Sequence, residues 1–150
     1  MIKTTLAKLA TTLPADEVSA HCDGPCGVYD PASARIAAEA ARSMTKKLLD
    51  AGPASTVEEA NTQSRYIAIK EEQAHIAKEE LLVLWTDYFK PPHLEAYPDL
   101  HTTFWNAAKA CSEVKVHVSM EAADALMAAI EEIHGIFWAT KGRDVAYYTT

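Results

Sequence analysis

The stretch TVEEANTQSRYIAIKEEQAHIAKEELLVLWTDYF, residues 56–89, decides the fold. It holds no glycine and no proline. Thr56 is followed three residues later by Glu59, so each side chain can take up the other's backbone N–H. Ile67, Ala74, Ala77, Leu81, Trp85 and Tyr88 recur at helical spacing as an apolar stripe. Lys90-Pro91-Pro92 then stops the run. The spacing predicts one helix of roughly 50 Å, which needs neighbours along its whole length.

Those neighbours lie on both sides. Upstream, Asp30 occupies an N-cap position with Pro31 at the first helical place. The helix so opened is predicted to reach about Leu49, with Ile36, Ala40, Met44 and Leu48 at helical spacing and Gly52-Pro53 as its stop. Downstream, Pro98 opens a third helix ending near Cys111. Ser119 caps a fourth, in which Leu126, Ile130, Ile133 and Phe137 are spaced as a bundle seam and Gly142 follows the end. No segment alternates with period two, and no repeat is present. The expected fold is all-α, an antiparallel four-helix bundle over residues 31–150.

The chain has 150 residues, 49 % hydrophobic and 23 % charged, enough for one domain with a core. No run of about 18 uncharged apolar residues exists, so no membrane-spanning helix is expected. Fourteen basic against twenty-one acidic residues give −7. That balance argues against a nucleic-acid partner and means an anionic substrate needs a local positive patch. Three cysteines do not make a disulfide scaffold. Residues 1–20 are electrically neutral and carry Lys8 and several threonines where a secretory signal would need an apolar core. Taken alone the segment reads as an N-terminal tail. Its Val18-Ser19-Ala20 end also suits a pro-segment cut before His21.

The densest chemistry stands at residues 21–30. Gly24, Pro25 and Gly27 favour a fixed turn, and a tight loop there can bring the sulfurs of Cys22 and Cys26 to one metal, with His21 immediately before them and Tyr29 beyond. Two soft thiolates and an imidazole select zinc, copper or nickel over magnesium or calcium. A local disulfide or two thiols is the plainer alternative. A second pattern is Glu72-x-x-His75 with Glu131-x-x-His134, the pair of motifs used by di-iron bundles, with Glu39 as a further donor. The third helix's share, the fourth ligand, is missing there, since Glu113 lies just past the predicted end of that helix. His93, His101 and His117 read as surface or loop residues. Cys111 reads as a buried core residue, and Trp85, Trp105 and Trp138 as packing between helices.

The string His21-Cys22-Asp23-Gly24-Pro25-Cys26-Gly27-Val28-Tyr29-Asp30-Pro31 resembles the metal-binding hook of nickel superoxide dismutases. Leu84-Trp85-Thr86-Asp87-Tyr88-Phe89-Lys90-Pro91-Pro92-His93 resembles the same family's segment after its long helix, so the likeness covers residues 21–150. It implies a homohexamer of four-helix bundles, one nickel ion per subunit, and a leader of residues 1–20 removed by a peptidase before His21. The implied ligands are the α-amine and imidazole of His21, the backbone amide and thiolate of Cys22, and the thiolate of Cys26. Asp23 and Tyr29 would shape the substrate pocket. Tyr88 would stand with Tyr29 beside the metal, and Lys90 would bring positive charge to the entrance. Pro25 would follow a cis bond.

The sequence departs from the family's better-known pattern in three places. Gly24 stands where a leucine is usual. Ala37 and Gln73 stand where a glutamate and an arginine steady the axial histidine, with Glu39 or His75 as possible replacements. The implied activity is dismutation of superoxide to O₂ and H₂O₂ by Ni(III)/Ni(II) cycling. Thiolates and a deprotonated amide bring the couple into range, and cleavage frees the amine that binds. Thiols at the site and the missing secretory core suit the cytoplasm. The competing readings are a ferritin-like di-iron protein and a non-catalytic nickel-binding protein.

Overall fold

Asp30 starts the first helix as the sequence predicts: its carboxylate accepts the Ala32 N–H at 2.9 Å, and Pro31 is buried beneath. The computed structural model describes residues 26–150; His21, Cys22, Asp23, Gly24 and Pro25 lie outside the described residues, as does the whole of 1–20. Helix α1 spans Ala32–Ala51 and ends at Gly52, whose φ of +63° is a conformation open to glycine. Helix α2 spans Val57–Val83 behind the Thr56–Glu59 capping box, with both reciprocal bonds present. It runs on into a single π turn, Leu84–Tyr88, closed by Phe89 N–H on Leu84 O at 3.2 Å. A short α3, Pro91–Ala96, follows where only a stop was expected. Helix α4 is Leu100–Val116 and α5 is Met120–Thr140 behind its Ser119 cap.

The pairing is antiparallel, as side chains across each seam show. Ser33 near the start of α1 donates to Glu80 near the end of α2, at 2.6 Å. Trp85, beyond the end of α2, donates to His101 at the start of α4, at 2.7 Å. Thr103 early in α4 donates to Glu132 late in α5, at 3.3 Å. Arg42 of α1 pairs with Asp124 of α5 at 2.6 Å. The four long helices therefore form a ring, α1–α2–α4–α5, around one core. Among the described residues no helix is long and apolar enough to cross a membrane.

The α5 seam is as expected: Leu126, Ile130, Ile133 and Phe137 are fully buried. Each such side chain contributes roughly 1.5–3 kcal/mol on leaving water. The α1 seam differs. Ala34, Ala37, Ala38, Ala41 and Thr45 face inward, while Ile36 is exposed and Ala40, Met44 and Leu48 are only half-buried. Ala74 and Ala77 of α2 are buried in the same core as the α1 alanines, and small side chains let these two closely paired helices pack. Ile67 of α2 is likewise exposed, as is Trp105, which was expected between helices; Trp85 and Trp138 pack against the core. Cys111 is fully buried, and burial pushes its thiol up to about 12, so it is a packing residue.

Helix α4 runs five residues past Cys111 because its end is capped from another helix. The buried Lys70 ammonium of α2 donates to the carbonyls of Val114, Lys115 and His117 at 2.6, 2.8 and 3.3 Å. The chain after α5 folds back over α1 and α5. His134 Nε2 lies 2.7 Å from Val145 O, and Tyr147 donates to Met127 O. Glu39 accepts from both the N–H and the hydroxyl of Thr150.

Candidate functional site

The site is built where the start of α1 meets the π turn and the end of α5. Cys26 is exposed on the turn that enters the described chain, and Gly27 takes φ +63° beside it. Three residues after Cys26, Tyr29 is half-buried against the core. Its ring lies 5.5 Å from that of Tyr88. The two tyrosines assigned to one pocket are thus brought together from 59 positions apart. A π turn carries an extra residue per turn, and that extra residue sets the direction in which Tyr88 leaves the helix.

Tyr88 is held on every side. Phe137 packs at 4.5 Å, Phe89 edge-on at 4.9 Å, and His93 stacks nearly parallel at 5.6 Å. The His93 Nδ1 accepts the Lys90 N–H at 3.0 Å, which makes it the acceptor nitrogen of that ring. His93 is therefore part of the site's wall, which its reading as a surface residue did not anticipate. The Tyr88 hydroxyl lies 2.7 Å from the Thr140 hydroxyl. Lys141, one residue beyond α5, places its ammonium 5.1 Å from the Tyr88 ring centre and 5.2 Å from that of Phe137. Lys90 is exposed at the start of α3. The sequence pointed to one cation here, and the fold supplies a second.

The candidates for steadying a histidine are placed as follows. Ala37 is buried and Gln73 half-buried, on α1 and α2. Glu39 is engaged by Thr150 and by Arg35 at 3.1 Å; the Thr150 hydrogen bonds, opposed by burial, hold its carboxyl below the usual 4.5. His75 is exposed and lies 3.3 Å from Glu79. The di-iron arrangement does not assemble: Glu72 and Glu131 are exposed, and His134 meets the Val145 carbonyl. Among the described residues no three His, Cys, Asp or Glu side chains are gathered to hold a metal.

The described residues define an all-α bundle in which a cysteine-bearing turn leads into the Tyr29–Tyr88 pair, with the Lys141 ammonium beside it. Residues 16–141 match the model of a family described as nickel-containing superoxide dismutase. Curated relatives named "Superoxide dismutase [Ni]" are 45 % identical in Streptomyces seoulensis and 44 % in Streptomyces coelicolor (strain ATCC BAA-471 / A3(2) / M145). Each alignment covers 85 % of this chain and 93 % of the relative. A crystal structure of a Ni-containing superoxide dismutase in the oxidised ligation state superposes with a TM-score of 0.74. It is 44 % identical and covers 82 % of this chain and all of that one. An apo structure of a nickel superoxide dismutase gives 0.70 at 39 % identity, over 77 % of this chain and 99 % of that one. The chain belongs to the nickel-containing superoxide dismutase family.

Proposed function

We propose that this chain dismutates superoxide at a nickel centre, one ion per subunit, formed after residues 1–20 are removed before His21. The observation that carries the reading is the Tyr29–Tyr88 pair at 5.5 Å, set three residues after Cys26. The donor set fits the metal: the His21 amine and imidazole, the Cys22 amide and thiolate and the Cys26 thiolate would hold it, and nitrogen and soft sulfur donors suit nickel. When bound, nickel supplies a one-electron couple that both oxidises and reduces superoxide.

The chain's own groups do the rest. Tyr29 and Tyr88 are the bulky walls that keep larger reductants from the thiolates, and Asp23 of the hook is the further residue assigned to the substrate pocket. Tyr88 is fixed by Phe137, Phe89 and His93, so the wall does not have to be ordered when substrate arrives. Lys90 and Lys141 offset locally the repulsion that a −7 chain exerts on an anion. The His21 nitrogen is an amide while Ala20 is attached and a primary amine once a peptidase has cut, so processing is the activating step. The same reading places the protein in the cytoplasm, where thiols stay reduced, as a homohexamer.

The test compares verified full-length protein with protein beginning at His21, each loaded with nickel and assayed for metal content and superoxide decay. The trimmed form is expected to bind one nickel per chain and be active, and the full-length form to be inactive. Substantial activity from the uncut chain overturns the processing step. Bound nickel without activity in the trimmed form returns the reading to a non-catalytic nickel protein.

A further inference from the structure

The end of helix α5 fixes which way the Tyr88 proton points. Lys141 N–H, which would close the helical ladder on Phe137, bonds to Trp138 O instead, at 3.1 Å. The Phe137 carbonyl is left over at the helix end, and the Thr140 hydroxyl donates to it at 2.6 Å. A threonine hydroxyl has one hydrogen. With that hydrogen given to Phe137, Thr140 Oγ1 meets the Tyr88 hydroxyl at 2.7 Å as an acceptor, so Tyr88 is the donor. The relay runs from Tyr88 through Thr140 to Phe137, from a residue 52 positions away from its partner.

We propose that Thr140 is a positioning residue of the site: it takes the Tyr88 phenol proton and leaves Tyr88 with only lone pairs to offer the pocket. This rests on the reading that Tyr88 faces superoxide. Tyr88 then accepts from a group that carries hydrogen, a water or the hydroperoxide product, and does not itself donate to the incoming anion. An ordered water that donates one hydrogen to the Tyr88 oxygen has its other hydrogen left to turn toward the anion. The ring is fixed at the same time by Phe137, His93 and the Lys141 ammonium, so the lone pairs are aimed as well as freed.

The experiment uses Thr140→Val, which keeps the shape and removes the hydroxyl, and Thr140→Ser, which restores it. Isotope-edited infrared spectroscopy of the tyrosine C–O stretch, assigned by subtracting Tyr88→Phe, reports whether the phenol donates or accepts, with or without nickel. A donor signature is expected in the parent and in Thr140→Ser, and its loss in Thr140→Val. The rate per bound nickel is expected to fall about fivefold in Thr140→Val, the worth of one neutral hydrogen bond, and to recover in Thr140→Ser. An acceptor signature in the parent overturns the inference whatever the rates. The expected signatures with an unchanged rate in Thr140→Val overturn the positioning role. If Tyr88→Phe is also unchanged, it is the placement of Tyr88 at the substrate that fails.

Discussion

Replacing Lys141 with glutamine tests whether the second cation steers the substrate. An anion resting against the Tyr88 ring would lie about 7 Å from the Lys141 ammonium, given the 5.1 Å from ammonium to ring centre. With the dielectric of bulk water, the attraction there is about 0.6 kcal/mol before screening. A screening length of about 30 Å at 10 mM salt leaves about 0.5 kcal/mol, a little over twofold in local anion concentration. At 150 mM the length is about 8 Å and the factor drops to about 1.5. The lower effective dielectric of a protein surface makes these values a floor. Lys141→Gln should therefore slow superoxide decay per bound nickel at least about twofold at 10 mM and less at 150 mM. Lys90→Gln should behave alike, and the double variant should show the product of the two. Pulse radiolysis across that salt range is the assay, with nickel content measured on each sample. A variant whose rate and salt slope both match the parent removes that lysine from the steering field.

Cys26→Ser should lose bound nickel and activity while far-UV circular dichroism stays that of the bundle, because Cys26 is exposed ahead of α1 and fills no core; a collapsed helical signal would refute this. Lys70→Met should cost about 2 kcal/mol, read as a lower urea midpoint, since three carbonyls at the end of α4 and just past it lose a charged donor and the relief of burying no charge offsets part of the loss. An unchanged midpoint would show that water replaces the cap. Glu39 is held below its ordinary 4.5, so its bonds to Thr150 are at full strength above that pH and fade as pH falls below it. Faster hydrogen exchange at residues 147–150 is expected on acidification, and in Glu39→Gln at pH 7; equal protection in that variant would show that Tyr147 and Val145 alone hold the segment.

What could be read from the sequence was what single helices encode. Leu126, Ile130, Ile133 and Phe137 are large and have only one face to occupy, so the α5 seam was legible. The Thr56–Glu59 cap is local and was equally plain. The α1 face was not, because alanine serves inside and outside and only the approach of Ala74 and Ala77 decides which alanines turn inward. The true end of α4 was hidden for a related reason: its cap, Lys70, arrives from another helix 44 positions earlier. The site divides the same way. Tyr29 and Tyr88 lie in short recognisable strings, and His93 ends one of them without its stacking on Tyr88 being legible there, whereas Thr140 and Lys141 join them only through the packing of α5 against the π turn. Nothing in the composition of Leu84–Tyr88 announces a wide turn.

That wide turn gives chain length a meaning of its own. Five residues close on themselves where an α-helix would use four, through the single bond from Phe89 to Leu84. Deleting any one of them would let the ladder close in the ordinary way and swing everything after it by about 100° around the helix axis. Helix α2 as far as Val83 would keep its packing against α1, yet Tyr88 would leave Tyr29 and Lys90 would emerge on another side of the bundle. Substitutions in this segment can be absorbed one atom at a time, but a change in its residue count cannot. The aim of the pocket is stored as a number of residues, and insertions or deletions here should be far less tolerated than at Gly52-Pro53 or beyond Gly142.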